Sequence, residues 1–426
     1  MSLVGNATDG TLHGLVELDG KADEERLARA VRLLVDTEPV LGCRFVTTGG
    51  PPRFERRRDL DAVMVCPVEP LPPDDGALGA RLARATDPTT DPLVSVTLLR
   101  GERDVVWLRL SHLVGDGAGA RDCLYRLATL TRALREDPDH RPAPNPTGRP
   151  GLAQVTRAQG IWGRLRMLRR GARDLRSRWY PRAWWRLTTT PGVTGVAAGG
   201  RAYVWHHLGA GQVGAMRAYS RERRATLNDL LVAAYLRGLA RVIRPAPQVP
   251  MRLRFTVDLR RYLPGGQASA VCNLSAFGFL NAGPGPDRTF EEVVDRVSAE
   301  MRGLKADCLG LGESALFGPL AAAVPHAWME RALRAQEGLP PAPELLTPTI
   351  TNFGAFRPDE LAVDGLRARS AFLLPPVMFP PGFAIAASGC AEGITLSAGF
   401  CESALARRRV ERLFGRMAAD LPGGAE

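Results

Sequence analysis

The stretch Ser111-His112-Leu113-Val114-Gly115-Asp116-Gly117-Ala118-Gly119 decides how the rest of the chain is interpreted. It follows Asp104 to Leu110, a β-branched and apolar run that is typical of a buried strand. The glycines at alternate positions permit a tight turn just beyond His112. A helical pattern of apolar residues then continues through Cys123, Leu124, Leu127, Leu130 and Leu134. The sequence therefore predicts that His112 sits at the end of a rigid strand, with its ring facing an opening and Asp116 in the turn.

His112 is the histidine best placed for proton transfer, because imidazole is the side chain that titrates nearest to neutral pH. The chain has six histidines. His13, His140 and His326 have no supporting neighbours, and the pair His206-His207 has no acid within reach. A purely packing role for His112 is the alternative, and the residue types alone leave it open.

Three sharper interpretations of this stretch are weak. The pattern Gly115-x-Gly117-x-x-Ala120 imitates a dinucleotide-binding loop, but four residues separate it from the strand and no second strand ending in an acid follows. A metal site lacks an HExxH motif or a Cys/His cluster. A Ser/His/Asp triad fails because Ser111 points to the opposite strand face and no GxSxG elbow exists. A general base without its own protein nucleophile is what remains.

Composition indicates a soluble globular chain of two or three units. Its 426 residues are 45% hydrophobic and 24% charged, and no apolar run is long enough to span a membrane. No secretory signal is visible at the N-terminus. The seven cysteines are scattered without a CxxC pair, which argues against a disulfide framework or a thiolate metal site. We therefore expect a cytoplasmic protein.

The positive charge is concentrated in one segment. The formal net charge is +11, and the segment Arg157–Arg186 holds ten arginines against one acid. Within it, apolar residues recur at helical spacing and form one stripe with arginines around it: Ile161, Leu165, Leu168, Ala172, Leu175 and Trp179. Nucleic-acid binding is not expected, because no recognised motif accompanies the patch.

Three interpretations of this basic helix stay open. The stripe could pack on the body of the protein while the arginines are merely solvated. The arginines could dock an acidic partner, such as a carrier protein or a phosphorylated cofactor. The helix could also contact a membrane peripherally, an interpretation favoured by Trp162, Trp179, Trp184 and Trp185.

The segment that contains the basic helix resembles a bridge between two halves. Proline-rich and glycine-rich stretches flank it, at 137–151 and 188–200. Strand-like and helical patterns alternate on both sides, which indicates an α/β fold. We predict an N-terminal lobe over 1–137, a bridge over 138–200 and a C-terminal lobe over 201–426.

Residues 111–117 resemble the HHxxxDG motif of the coenzyme-A-dependent acyltransferase superfamily. That superfamily includes chloramphenicol acetyltransferase, the plant BAHD acyltransferases and the condensation domains of nonribosomal peptide synthetases. Ser111 replaces the first histidine, and Asn-Phe-Gly-Ala-Phe replaces the plant DFGWG sequence. Four further stretches resemble family motifs in the same order along the chain: Thr37–Leu41, Ala225–Leu231, Thr256–Pro264 followed by Asn273, and Thr351–Gly354.

The resemblance implies two chloramphenicol-acetyltransferase-like lobes in a V-shaped pseudo-dimer, with an active-site tunnel between them. It implies that His112 faces the tunnel as general base, and that Asp116 and Gly117 are structural, with Asp116 paired to Arg260. That pairing is physically sensible, because a buried carboxylate needs a partner and a guanidinium can satisfy it. Asn352 and Ser397 are candidate contacts for the substrate or for an oxyanion.

The implied activity is transfer of an acyl group to an amine or hydroxyl acceptor. The donor would be a thioester of coenzyme A or of a phosphopantetheinyl carrier protein, with no permanently bound cofactor and no metal. An acidic carrier would suit the Arg157–Arg186 patch. A repurposed family member that binds a loaded carrier, or guides a cyclisation without acyl transfer, is the alternative.

Overall fold

The fold is seen in a computed structural model of the chain. The structure describes the following residues: 8–48, 51–147, 151–177, 200–244, 250–284, 288–306, 308–312, 347–380, 382–391 and 393–424.

Thirteen strands lie in this described part of the chain. In order they are β1 Thr11–Leu18, β2 Cys43–Val46, β3 Arg53–Arg56, β4 Val68–Pro70, β5 Val94–Arg100, β6 Val105–Ser111, β7 Arg201–Leu208, β8 Pro250–Asp258, β9 Ser275–Pro284, β10 Thr349–Phe356, β11 Ala368–Leu374, β12 Ala384–Cys390 and β13 Gly393–Cys401.

Ten α-helices lie in the same residues. In order they are α1 Glu24–Thr37, α2 Leu60–Val63, α3 Asp75–Leu82, α4 Gly117–Glu136, α5 Ala153–Ala158, α6 Ile161–Ser177, α7 Ala210–Glu222, α8 Leu227–Ile243, α9 Phe290–Lys305 and α10 Arg407–Asp420.

Two large sheets organise the protein, and the α/β prediction is confirmed. The first sheet has the strand order β11-β1-β6-β5-β4, and the second has the order β7-β13-β12-β10-β8-β9. Each sheet carries helices and its own buried apolar cluster. Strand β11 lies late in the chain, yet it pairs antiparallel with β1 in the first sheet. The chain therefore crosses back to complete the sheet that contains β6.

Most of the predicted elements are present, with shifts of a few residues at their ends. The sequence pattern predicts a strand over Arg201 to Leu208, which is β7, and a helix cap at Thr226 or Asn228, which the structure places at Thr226. It also predicts a strand over Ala62 to Val68, which is wrong because part of this segment forms the short helix α2.

Helix α7 is not predicted by the sequence pattern, because its inner face is only Val213, Met216 and Ser220. A further helix that the pattern indicates at about 316–333 lies outside the described residues.

Strand β6 and helix α4 hold the decisive stretch in place. Leu108 and Leu110 of β6 are completely buried, and so are Cys123 and Leu127 of α4. Asp116 is the N-cap of α4, and its side chain accepts a hydrogen bond from the backbone of Gly119. The residues between β6 and α4 are therefore fixed at both ends by buried elements.

Helix α6 packs on the protein with an unexpected face. Met167 and Arg170 are buried, whereas Ile161, Leu165 and Leu168 of the predicted stripe are exposed. The interpretation in which this stripe packs on the body is therefore wrong for these residues. The stripe member Trp179, as well as Trp184, Trp185 and the arginines from 178 to 186, lies outside the described residues.

A buried polar trio joins the first sheet to the second. The indole of Trp107 donates to Nδ1 of His13 over 3.0 Å, and Nε2 of His13 lies 3.1 Å from the hydroxyl of Tyr203. His13 belongs to β1 and Tyr203 to β7, and both are almost completely buried. Burial, aided by the charge of Arg109, lowers the pKa of His13 to about 3.

This trio makes a prediction for stability against acid. The unfolded chain takes up a proton on His13 below its ordinary pKa of 6.5, whereas the folded chain does not until about pH 3. Folding therefore loses stability as the pH falls through this window. From about pH 7.5 to about pH 5, His13 should lower the free energy of unfolding by about 2 kcal/mol.

The measurement is urea unfolding of the wild type and of His13→Gln at both pH values. Only the difference between the two proteins is informative, because burial raises the pKa of nearby Asp9 to about 7 and its titration acts in the opposite direction. An equal acid loss in both proteins would contradict a neutral, buried His13.

Candidate active site

His112 sits where both halves of the chain meet. It directly follows β6, and its backbone N–H donates to the carbonyl of Gly10, 2.7 Å away, just before β1. Its side chain is half-buried. Asn273, which precedes β9, reaches it from the second half of the chain. His112 is thus anchored through its backbone from the first half and contacted at its ring from the second, and it remains partly exposed.

Asn273 fixes the orientation of the His112 ring. Its amide nitrogen lies 2.9 Å from Nδ1 of His112 and donates to the backbone oxygen of the same residue over 3.1 Å. Its amide oxygen accepts hydrogen bonds from the backbone and hydroxyl of Ser275. Because an amide nitrogen can only donate, Nδ1 is the acceptor in this arrangement. The neutral ring then carries its hydrogen on Nε2.

The surroundings of His112 favour a neutral ring that can still take up a proton. Burial lowers the pKa of His112 below its ordinary value of 6.5. The charge of Asp116 and hydrogen bonds to the carbonyl oxygens of His112 and Gly115 act in the opposite direction and stabilise the protonated ring. At neutral pH the imidazole is therefore unprotonated, which is the state that a general base requires.

The structure brings Asp116 and Arg260 together as a buried ion pair. Nη1 of Arg260 lies 2.9 Å from Oδ2 of Asp116, and the two side chains are 5% and 4% exposed. The same carboxylate oxygen accepts the backbone N–H of Leu274 over 2.7 Å. Asp116 thus links the start of α4 to two points of the second half of the chain.

Arg260 is held by more than the Asp116 carboxylate. Its Nη2 donates to the carbonyl of Cys272 over 2.8 Å, and its Nη1 also contacts the more exposed Asp258. Burial works against the charged form, yet the neighbouring Asp116 carboxylate raises the pKa of Arg260 above its ordinary value. The Arg260 guanidinium therefore stays charged and fastens the loop that carries Asn273.

Gly117 is required by a close contact across the two halves. A Cβ atom at this position would lie 2.1 Å from a ring carbon of Phe353. Phe353 belongs to β10 in the second sheet, yet its ring packs against the apolar cluster of the first sheet. No side chain larger than hydrogen has room at residue 117 unless this ring moves.

Asn352 lies beside this contact and is exposed. Its amide nitrogen donates to the side chain of Asn228 at the start of α8, 3.1 Å away, and its oxygen accepts the backbone N–H of Gly354. Gly354 has a φ of +78°, the left-handed conformation that favours glycine. The role of Asn352 in contacting a substrate stays a prediction.

Ser397 lies in a different environment. It is in the middle of β13 and has no solvent exposure. Its hydroxyl donates to the carbonyl of Leu373 in β11 over 2.9 Å, so it ties the second sheet to the last strand of the first. This geometry does not favour Ser397 as an oxyanion donor, because its only hydrogen already has an acceptor.

The sequence analysis missed the role of Glu38, the residue before the Pro-Val-Leu sequence. Its carboxylate is fully buried and accepts from Arg126 of α4, 2.9 Å away. It also accepts from Asn145 in the proline-rich segment and from the backbone of Val271. The available signal in the sequence was the position of Glu38, a single acidic residue between an amphipathic helix and a short apolar run. A carboxylate buried there needs a partner, because burying it alone costs too much free energy.

Among the residues that the structure describes, no group of three or more His, Cys, Asp or Glu side chains is arranged to hold a metal ion. No helix among them combines the length and the apolar character that crossing a membrane requires.

Comparison with known proteins relates the second half of the chain to one family. Residues 201–373 match the family described as "Phthiocerol/phthiodiolone dimycocerosyl transferase C-terminus". A search of curated proteins finds no match.

Solved structures resemble the chain over almost its whole length. Trichothecene 15-O-acetyltransferase from Fusarium sporotrichioides is 14% identical with a TM-score of 0.71, over 98% of this chain and 91% of that one. Polyketide synthase associated protein 5 from Mycobacterium tuberculosis is 19% identical with a TM-score of 0.66, over 96% and 94%. The first condensation domain of the calcium-dependent antibiotic synthetase, in complex with a substrate analogue, is 19% identical with a TM-score of 0.68, over 100% and 94%.

These likenesses show the fold. The chain has the two-lobed α/β fold of these acetyltransferase and condensation-domain structures, as the resemblance in its sequence implied.

The buried ion pair makes a prediction for stability. Asp116→Asn should lower the free energy of unfolding by about 3–5 kcal/mol, because it leaves the buried Arg260 charge without its main partner. The matched control is Asp258→Asn, at the other carboxylate on Arg260, whose side chain is 47% exposed. That change should cost at most about 1 kcal/mol. Equal losses in chemical denaturation of the two variants would contradict this account of the pair.

The contact between Asn273 and His112 makes a prediction for the pKa of the imidazole. Asn273→Asp places a carboxylate against Nδ1, so the pKa of His112 should rise by about one to three units. NMR titration of the ring measures the shift. Asn281→Asp, at an exposed position further along β9, adds the same charge as a control and should leave His112 unchanged. An unshifted His112 in Asn273→Asp would show that the two side chains are not in contact.

Proposed function

We propose that this protein is an acyltransferase that moves an acyl group from a thioester to an amine or hydroxyl acceptor, with His112 as the general base. The single observation that supports the proposal is the state of His112. Its ring is half-buried, neutral at neutral pH, and held by residues from both halves of the chain. A histidine that only filled space in the core would need neither an accessible edge nor this set of partners.

The proposed reaction balances without any protein nucleophile. The acceptor nitrogen or oxygen attacks the carbonyl carbon of the thioester, and its proton passes to Nε2 of His112. The carbon–sulfur bond then breaks, and His112 returns the proton to the sulfur. The products are an amide or ester and a free thiol, and the enzyme regains its starting state.

The protonated ring formed in this reaction has ready support. The Asp116 carboxylate and the carbonyl oxygens of His112 and Gly115 favour the charged imidazole. Asp116 is itself held rigidly by Arg260 and by backbone N–H groups, so this support is in place before the reaction begins. General-base assistance of this kind accelerates a reaction by about 10²- to 10⁴-fold.

Proton transfer at Nε2 also requires the correct tautomer of the ring. With Asn273 donating to Nδ1, the hydrogen of the resting ring is on Nε2. To accept a proton at Nε2, the neutral ring of His112 must carry its hydrogen on Nδ1. The backbone oxygen of His112 can accept a hydrogen bond from that N–H. The proposal therefore includes a small rotation of the Asn273 side chain away from Nδ1. The ring then releases its Nε2 hydrogen to water and takes one from water at Nδ1 before the acceptor is deprotonated.

The fold and the family match support a thioester as the acyl donor. Both coenzyme A and a phosphopantetheinyl carrier present the acyl group as a thioester at the end of the same flexible arm. Synthetase domains such as the antibiotic condensation domain share this fold. We propose a thioester donor of either kind, used as a substrate and not as a resident cofactor.

The prediction that tests this function concerns release of thiol. Wild-type protein is incubated with acyl-coenzyme A donors of short and long chain length and a mixture of primary amines and alcohols. Thiol release should depend on the acceptor, and His112→Gln should lower its rate by about 10²- to 10⁴-fold. His140→Gln, a histidine away from the site, serves as the control and should retain the wild-type rate.

The outcomes separate the two functions that the sequence left open. If His112→Gln releases thiol as fast as the wild type, the general-base mechanism is wrong. If the wild type binds a loaded phosphopantetheinyl carrier but never transfers its acyl group to any acceptor, the non-catalytic alternative is correct.

A further inference from the structure

Helix α6 carries an exposed apolar face. Four of the seven exposed large apolar side chains in the described part of the chain belong to it. They are Ile161 and Trp162, about three-quarters exposed, and Leu165 and Leu168, somewhat less than half exposed. Exposed apolar patches of this kind mark interaction sites, because scattered single residues would not line up on one helix.

The helix is held on the protein by its other side. Gly163, Met167, Arg170 and Gly171 are buried, and they lie together on one face when a helix has about 3.6 residues per turn. Because this face already packs on the body, α6 is not free to turn its apolar stripe inward. The stripe is therefore presented to the surroundings by the fold itself.

Arginines border the apolar stripe on both sides. In helical projection, Arg164 lies on one margin and Arg166 on the other, while Arg169 lies between Leu165 and Trp162, and all three arginines are exposed. Residues 151–173, which contain α5 and most of α6, include no aspartate or glutamate. No acidic side chain of the chain from 151 to 173 therefore offsets these arginines.

We propose that this surface, formed by Ile161, Trp162, Leu165, Leu168, Arg164, Arg166 and Arg169, binds the surface of an anionic lipid bilayer. An acidic protein would match the arginines, but it would also need an apolar patch at the same place to cover the four large apolar side chains. A bilayer matches both parts, since its acyl chains take the stripe while its anionic headgroups meet the arginines. The indole of Trp162 suits the boundary between the two, where one end of the ring is apolar and the other is wet.

This proposal is independent of the acyl-transfer chemistry. The surface lies in the bridge, before residue 201, where the family match begins. It places the enzyme beside a membrane, so that a lipid-soluble acceptor or a long acyl chain could reach it without first crossing water. Loss of membrane binding would leave the thiol-release assay with water-soluble substrates unchanged.

The experiment is co-sedimentation of the full chain with vesicles. One set of vesicles is an equal mixture of phosphatidylcholine and phosphatidylglycerol, and the other is phosphatidylcholine alone. We expect binding to the anionic set that weakens with salt. The variant with Ile161, Trp162, Leu165 and Leu168 all changed to Ser should bind at least about 10-fold more weakly, because little apolar area is then left to insert.

A charge-matched pair of variants tests the role of the arginines. Changing Arg164, Arg166 and Arg169 to Gln should weaken binding to anionic vesicles by about 10-fold or more. Changing Arg221, Arg408 and Arg412 to Gln removes the same charge from exposed positions elsewhere and should leave binding close to that of the wild type. Circular dichroism and thermal unfolding establish that each variant is folded.

Three results would overturn the proposal. The first is that the wild type does not bind anionic vesicles, or that the four-serine variant binds them as tightly. The second is that the two sets of arginine changes weaken binding equally, which would indicate net charge alone. The third is that the apolar face instead holds a second copy of the chain or an acidic carrier protein, detected by light scattering or by titration with a carrier in the absence of vesicles.

Discussion

The buried pair of Asp116 and Arg260 is the constraint on which the site depends. Removing either of two nearly buried opposite charges leaves the other buried without a partner, which is strongly destabilising. In this protein the two charges come from opposite halves of the chain. Asp116 also begins helix α4, and Arg260 also holds the loop that carries Asn273. This one ion pair therefore helps to fix where helix α4 begins and how the two halves of the chain meet. It also helps to position Asn273, the side chain that contacts His112.

Much of the fold could be predicted because its signals are local. The strand before His112, the cap of α8 at Thr226 and the apolar periodicity of α4 depend only on neighbouring residues. The pairing of Asp116 with Arg260 was reached through resemblance to a family, not through any rule of spacing. Their separation in sequence carries no physical signal, which is why the residues alone could not supply it.

The parts that could not be predicted depend on contacts between distant segments. Asn273 was noted only as part of a motif, and nothing local indicates that its amide meets Nδ1 of His112. Ser397 resembled a candidate donor until its hydroxyl was seen bonded to Leu373. In α6, periodicity identified the apolar stripe correctly but not the direction it faces. The buried side is decided by contact with a distant part of the protein, since Met167 on the opposite side joins the apolar cluster of the second sheet.

The position of β11 has a consequence for how the two halves depend on each other. Without residues 368–374, strand β1 would become an edge, and its sequence Thr-Leu-His-Gly-Leu-Val-Glu-Leu is nearly all buried in the intact protein. An unprotected apolar edge is a template for pairing with other chains. A gene divided at the bridge would thus yield an amino-terminal fragment inclined to aggregate, and newly made protein must wait for almost its entire length to leave the ribosome before that strand is covered.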